Sequence, residues 1–190
     1  MSFNAPLATN PANVSHFPAI AGDHWIEPLD DGRHVLIRPL RPNDQSLESA
    51  FIKGLSPRSL RDRFMEEFRE PSKDLLDQLM ATNGKGSLAL IALVHDDGVL
   101  REVGIARYSS IGLAGQCECA VTVADKWQHL GLGTRLMEHL IDQARQHRFR
   151  RMVSFDAASN GSMRDLARNL GFHRATDPGD ATQVIHSYDL

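Results

Sequence analysis

The stretch Val121-Thr122-Val123-Ala124-Asp125-Lys126-Trp127-Gln128-His129-Leu130-Gly131-Leu132-Gly133-Thr134-Arg135-Leu136 carries the strongest chemical signal in the chain. It reads as a strand that ends, a short polar loop, and a helix opened by two glycines. At such a junction the first backbone N–H groups of the helix have no intrahelical partner and point outward together. They coincide with the positive end of the helix dipole, which suits a phosphate or pyrophosphate. Glycine at 131 and 133 lets the backbone approach an anion with no Cβ in the way. Two other phosphate loops fit worse. A dinucleotide fingerprint would place its third glycine at Leu136, and the P-loop needs a Gly-Lys-Ser/Thr that is absent here. The plain alternative is a loop-to-helix turn that uses glycine for tight contact, and G-x-G alone does not decide between the two.

Other reactive residue types carry weaker signals. Cys117 and Cys119 are the two cysteines, too few and too close for a disulfide framework, and they read as small core residues on one strand face. The nine histidines show no ligand spacing such as H-E-x-x-H, so no metal is expected. Arg145, Arg148, Arg150 and Arg151 close a helix, where positive charge complements the dipole. With a formal net charge of -3 and no aromatic array beside these arginines, nucleic acid is not an expected partner. No apolar run reaches membrane-span length, and Met1 to Gly22 lacks the basic start and apolar stretch of a signal peptide, so a cytoplasmic protein is expected.

The elements that must position the glycine loop follow from periodicity. Residues 1–22 hold three prolines and no period, and read as a flexible N-terminal arm before one domain over 23–190. Residues 24–29 and 33–40 flank an Asp31-Gly32 turn as a hairpin. Three helical segments follow, with apolar stripes Leu47/Phe51/Leu55, Leu60/Phe64/Phe68 and Leu75/Leu76/Leu79/Met80, the last broken at Asn83-Gly84. Residues 87–95, 101–109 and 116–124 read as strands, 131–147 as a helix, 150–155 as a strand, 159–170 as a helix and 181–190 as a closing strand. Hairpins feeding a strand–helix–strand crossover give an α/β fold: a mixed, mostly antiparallel central sheet with helices on both faces.

Gln128-His129-Leu130-Gly131-Leu132-Gly133 resembles the Q/R-x-x-G-x-G/A signature of the GNAT family of N-acetyltransferases, and Asn160 to Phe172 resembles that family's second motif, an Asn-led helix ending in Gly-Phe. The likeness spans roughly residues 33 to 175, in the family's order of elements. It is strongest to the acetyltransferase domains of bacterial protein-lysine acetyltransferases, which share an opening like Ile37-Arg38-Pro39-Leu40-Arg41-Pro42, a helix start like Leu55-Ser56-Pro57 and a strand like Glu118 to Val123.

The resemblance implies acetyl-CoA as cosubstrate. Gln128, His129, Leu130, Gly131, Leu132, Gly133 and Thr134 are then the pyrophosphate loop. Val121, Thr122 and Val123 belong to the strand whose backbone meets the pantetheine arm, with Val121 and Val123 making the pairing, and Asn160 and Met163 bring the second motif to the cofactor. Asn160 also reads as an ordinary helix cap. Transfer to an amine needs a base, because an alkylammonium near pKa 10 is protonated at neutral pH. Glu118 matches the glutamate that serves this role in the resembling enzymes, and its apolar neighbours predict partial desolvation. The Val121 amide is the expected donor to the thioester oxygen. The position of the family's thiolate-protonating tyrosine is Ala167. Arg135 is a candidate phosphate contact. The acceptor wall is expected from the helices at 43–81, including Glu48, Arg58, Arg61, Arg63, Glu66 and Glu67. A protein lysine is the favoured acceptor, a small-molecule amine or a non-catalytic acyl-CoA-binding role the alternatives; the oligomeric state is open, a homodimer being one option.

Overall fold

The computed structural model describes residues 23–65, 70–81, 86–112 and 115–190. The N-terminal arm, Glu66, Glu67, Phe68 and the Asn83-Gly84 break lie outside them. The first hairpin is β1 (Trp25–Pro28) and β2 (His34–Pro39), antiparallel with Trp25 opposite Ile37. A short 3₁₀ turn at Pro42–Asp44 then leads into α1 (Gln45–Lys53), α2 (Pro57–Phe64) and α3 (Lys73–Met80). Helices α2 and α3 begin alike: the Ser56 and Ser72 hydroxyls accept the N–H of Ser59 and Leu75.

β3 (Ser87–Asp96) and β4 (Val99–Ser110) form a long hairpin. Asp97 and Gly98 both take positive φ, 49° and 75°, the left-handed pair that matches strand twist in a two-residue turn. β5 (Gln116–Val123) returns antiparallel to β4, and α4 (Leu132–Gln146) crosses over to β6 (Arg151–Ala157), which runs parallel to β5. After α5 (Gly161–Asn169) come β7 (His173–Thr176) and β8 (Gln183–Asp189). The eight strands lie in the order β1-β2-β3-β4-β5-β6-β8-β7, so the last strand inserts between its two predecessors. The expected mixed α/β sheet is present, with one strand more than the periodicity showed. β7 is four residues long and exposed throughout, an edge strand defined by its backbone bonds to β8 and by no apolar pattern.

Helices cover both faces, which is why β3 buries six consecutive residues. Beneath α4 the core is apolar: Leu132, Leu136, Met137 and Leu140 meet Leu90, Ala106, Tyr108, Cys117 and Cys119. Beneath α1–α3, Leu36, Ile91, Leu93 and Ile105 meet Phe51, Ile52, Leu55 and Leu60. A bulge where β4 passes Ala92 and Leu93 shifts the alternation. The shift brings Glu102 to the face that carries Ile105 and Arg107. Among the described residues no helix is long and apolar enough to cross a membrane.

Candidate active site

The seam between β5 and β6 is bonded along only part of its length. Pairing runs Gln116 to Arg151, Cys117 to Met152 and Glu118 to Val153, then stops, although β5 continues to Val123 and β6 to Ala157. A parallel pair that parts in this way leaves a row of backbone groups unpaired on each inner edge. Their identity follows from strand alternation. The Gly115 carbonyl accepts from Arg150 and Arg151 on the β6 side, while the Ala124 N–H donates to Val103 on the β4 side. Residues 119, 121 and 123 therefore turn their N–H and C=O groups toward the gap, and 120 and 122 turn theirs toward β4. The Val121 N–H and C=O and the Val123 N–H face the gap with no bond to another described residue, whereas the Val123 carbonyl is taken by the Gln128 side chain.

The gap opens into a cleft of about 920 Å³, within the range of small-molecule and cofactor sites. At one end stands the glycine loop. His129 and Gly131 take positive φ, 60° and 81°, and Gly131 caps α4. A side chain at 131 would be strained by that φ and would also meet the Asp30 carboxylate at 3.2 Å. The N–H groups of His129 through Thr134 bond to no other described residue; the first such bond of the helix is Arg135 N–H to the Gly131 carbonyl. Six consecutive amides at the positive end of a fifteen-residue helix are thus free to meet an anion. Gln128, His129, Gly131, Gly133 and Thr134 line the cleft. Leu130 and Leu132 instead turn their side chains into the apolar core and offer only backbone. A Cβ at Gly133 would sit 3.5 Å from Leu166 and 3.8 Å from Val123, so glycine keeps this floor open.

Two anchors hold the loop. The Leu130 carbonyl accepts from the Asp30 N–H at 3.2 Å. The Gln128 side chain donates to the Val123 carbonyl at 3.0 Å and to the Ser59 hydroxyl at 3.3 Å, so part of its bonding capacity is structural. Asp125, which the sequence reading passed over, fixes α2 to the same loop. Its carboxylate accepts the Ser56 N–H and the hydroxyls of Ser56 and Ser59 at 2.6–2.9 Å. Burial opposes its ionisation, yet those bonds outweigh burial and hold the carboxyl below its ordinary value. Asn160 caps α5 by accepting the Met163 N–H at 3.0 Å, and both residues line the cleft; the cap and a cleft-facing amide coexist.

Glu118 sits where the seam opens, on the cleft wall. It is exposed, contrary to the partial desolvation expected from its sequence neighbours, because Cys117 and Cys119 point to the other sheet face and bury there. On the far wall, β6 supplies Phe155 and Asp156. Asp156 is held from behind: its Oδ2 accepts from Ser154 at 2.7 Å and meets His186 Nδ1 at 3.0 Å. Neither β6 residue carried a sequence signal, since nothing in the pattern revealed that the seam parts. Helix α2 contributes Arg58 and Arg63.

Two further expectations are corrected. Glu48 is not on the acceptor wall; it is buried and bonded to Arg107 at 2.9 Å. Arg135 does not line the cleft and is engaged by Glu27 and Glu138 on the outer surface of α4. Ala167 is buried in the apolar core, and neither of the chain's two tyrosines lines the cleft. Tyr108 is buried beside His147, and Tyr188 borders Phe172.

A parted parallel seam beside a free-amide loop, on this sheet order, defines the class. The profile of the acetyltransferase (GNAT) family matches residues 57–172, and the chain belongs to that family of acetyl-transferring enzymes. Among particular relatives, it is 56% identical over 181 residues to "Acetyltransferase PA5475" of Pseudomonas aeruginosa, covering 95% of this chain and 97% of that one. In fold it matches the GNAT domain of S. lividans PAT, with a TM-score of 0.80 at 20% identity over 88% of this chain and 97% of the other. It also matches a cAMP-binding acyltransferase from Mycobacterium smegmatis, with a TM-score of 0.60 at 22% identity, over 88% of this chain and 47% of that protein.

Proposed function

We propose that the protein transfers an acetyl group from acetyl-CoA to an amine, with Glu118 as general base. The reading is carried by one observation: the open half of β5 runs directly into six free amides at the start of α4. The amides of His129 to Thr134 suit the pyrophosphate of CoA, and the backbone of Val121 with the N–H of Val123, unbonded among the described residues, suits the amide groups of its pantetheine arm as an added strand. Thr122 faces β4 with its backbone and contributes to the wall. Asn160 and Met163 bound the arm from α5. The chain's own residues thus fit the cosubstrate along its length.

At the mouth of the seam Glu118 takes the proton of the acceptor ammonium, and the neutral nitrogen then forms the new C–N bond at the thioester carbon. The C–S bond breaks as it forms, and the nitrogen, now acylated, sheds its remaining extra proton to water. The Val121 N–H, turned to the gap, donates to the carbonyl oxygen as charge builds on it. With no tyrosine on the cleft, the departing thiolate takes its proton from water or from protonated Glu118. The favoured acceptor class is a protein lysine, on the likeness of the Glu118–Val123 strand and the Arg38–Pro42 opening to bacterial protein-lysine acetyltransferases.

Thiol release from acetyl-CoA with a panel of amines and lysyl peptides tests this. Glu118→Gln is expected to slow release by about 10²- to 10⁴-fold at neutral pH while leaving CoA affinity intact. Unchanged turnover in that variant removes Glu118 from the chemistry. CoA binding with no release from any acceptor would favour an acyl-CoA-responsive module instead.

A further inference from the structure

Acetyl transfer as proposed gives no role to Arg63, a charged residue of the cleft. Arg63 stands in the last turn of α2, half-buried, and lines the cleft beside the sheet face that carries Glu118 and Thr122. Its helix neighbour Arg58 pairs with Asp62 at 3.7 Å. Arg63 has no hydrogen bond or ion pair with any described residue, and its guanidinium carbon lies 4.9 Å from the centre of the Phe64 ring. The nearby acids are committed elsewhere. Glu48 holds Arg107, and Asp156 is engaged through Oδ2 by Ser154 and His186. Glu118 is exposed and, like Arg63, unpartnered among the described residues. Arg63 and Glu118 thus face the cleft as a cation and an anion that are not bonded to each other.

A half-buried guanidinium with no anion bonded to it is in an unfavourable setting. Burial, and then the Arg107 charge, push Arg63 down to about 10, against the pull of Glu48, Glu118 and Asp156. An anion brought into the cleft would relieve both effects. The planar fork of arginine matches a carboxylate through two parallel bonds, which makes it a selective anchor for that group.

We propose that Arg63 binds a carboxylate carried by the acceptor itself, on the same molecule as the amine that reacts at Glu118. The inference rests on the acetyl-transfer reading and narrows its substrate class. A polyamine or an aminoglycoside brings only positive charge to Arg63 and is disfavoured. Two acceptor types carry the required chemistry: a free amino acid, through its own carboxylate, and a lysine flanked by an acidic side chain.

Matched acceptor pairs separate these sources in a thiol-release assay with acetyl-CoA. One pair is L-lysine and L-lysinamide; the other is a short lysyl peptide with Glu beside the lysine and its Gln counterpart. The wild-type kcat/KM ratio within at least one pair is expected to favour the carboxylate by about 10- to 100-fold, the range of a hydrogen bond to a charged group. The gain should appear mainly in KM, and the pair that shows it identifies the source. Arg63→Ala is expected to bring that ratio close to one, and Arg63→Lys, a point charge without the fork, to an intermediate value. Ratios near one in both pairs with wild-type protein overturn the inference, and need no variant to fold. A ratio that survives Arg63→Ala in protein of unchanged melting temperature also overturns it. So does faster transfer of succinyl than acetyl to the amidated acceptors, which would assign Arg63 to the acyl group. Absence of release from every acceptor contradicts the transfer reading and this inference with it, whereas release without preference contradicts this inference alone.

Discussion

Beneath α4 the sheet buries Leu136, Met137, Leu140, Cys117 and Cys119 with no charged side chain among them, whereas beneath α1–α3 it buries Arg38, Asp44, Glu48, Glu102 and Arg107. The apolar face supports the glycine loop: dense contact under Leu132 and Leu136 fixes the start of α4, and with it the direction of the free amides. The charged face does a different task. Arg38 grips Asp44 through two bonds of 2.6 and 2.8 Å at the turn before α1. Burial opposes ionisation of Asp44, but the Arg38 bonds, the Arg41 N–H and the charges of both arginines together outweigh it and hold the carboxyl low. Arg107 ties α1 to β4 through Glu48 and reaches the Leu79 carbonyl of α3 at 3.2 Å. Hydrophobic contact is non-directional. Bonds of this kind set where α1 and α3 lie on the sheet, and so help place α2 and its acceptor wall.

Glu102 completes that network in an unusual way. Neither of its oxygens, nor Glu48 Oε2, has an N–H or O–H donor from elsewhere among the described residues, yet the two carboxyls lie within hydrogen-bonding reach. A proton kept on Glu102 would supply a donor that this pair of carboxyls lacks. Burial first, then the Glu48 charge and the bond to it, push Glu102 well above the ordinary glutamate range.

The contrast between the faces can be broken by substitution. Glu48→Ala should have the largest effect on stability, a loss of about 3–5 kcal/mol in denaturant unfolding, because Arg107 is left as an unpaired buried charge. Replacing Glu48 and Arg107 together by Leu and Met should recover most of that loss; if it does not, the charges serve more than placement. Leu136→Ala on the apolar face should cost about 2–5 kcal/mol, with little dependence on pH. Glu102→Gln should have the smallest effect and the opposite sign. A carboxyl whose folded pKa is raised binds more protons folded than unfolded, so stability falls as pH rises from the ordinary glutamate range toward the folded value. Glutamine keeps a donor for Glu48 without titrating. Unfolding free energies between pH 5 and 8 should fall less steeply in the variant; parallel curves would show that Glu102 is not protonated in the fold.

Much of this arrangement was legible in the sequence. The Asp-Gly turns, the apolar stripe of α4 and the G-x-G loop each have a local cause, and the structure places the loop amides as those causes require. The parting of β5 from β6 has none. Both strands continue past Glu118 with ordinary strand residues, and only pairing partners distant in sequence reveal the gap. For the same reason Phe155 and Asp156 gave no signal as cleft walls. Glu48 read as part of the acceptor wall and Glu102 gave no signal, because nothing local shows that the β4 bulge turns Glu102 inward to meet α1. Arg63 appeared as one of several charges on α2; its lack of a partner among the described residues is visible only in three dimensions.

The central claim is that the amides of His129 to Thr134 receive a diphosphate beside an unpaired strand edge. Calorimetric titration of the wild-type protein with CoA and, separately, with pantetheine tests it most directly, since the second ligand has the arm without the diphosphate. Saturable binding of CoA, with pantetheine weaker by at least about tenfold, is the predicted result. Equal affinity for the two ligands, or no binding of CoA, would contradict it.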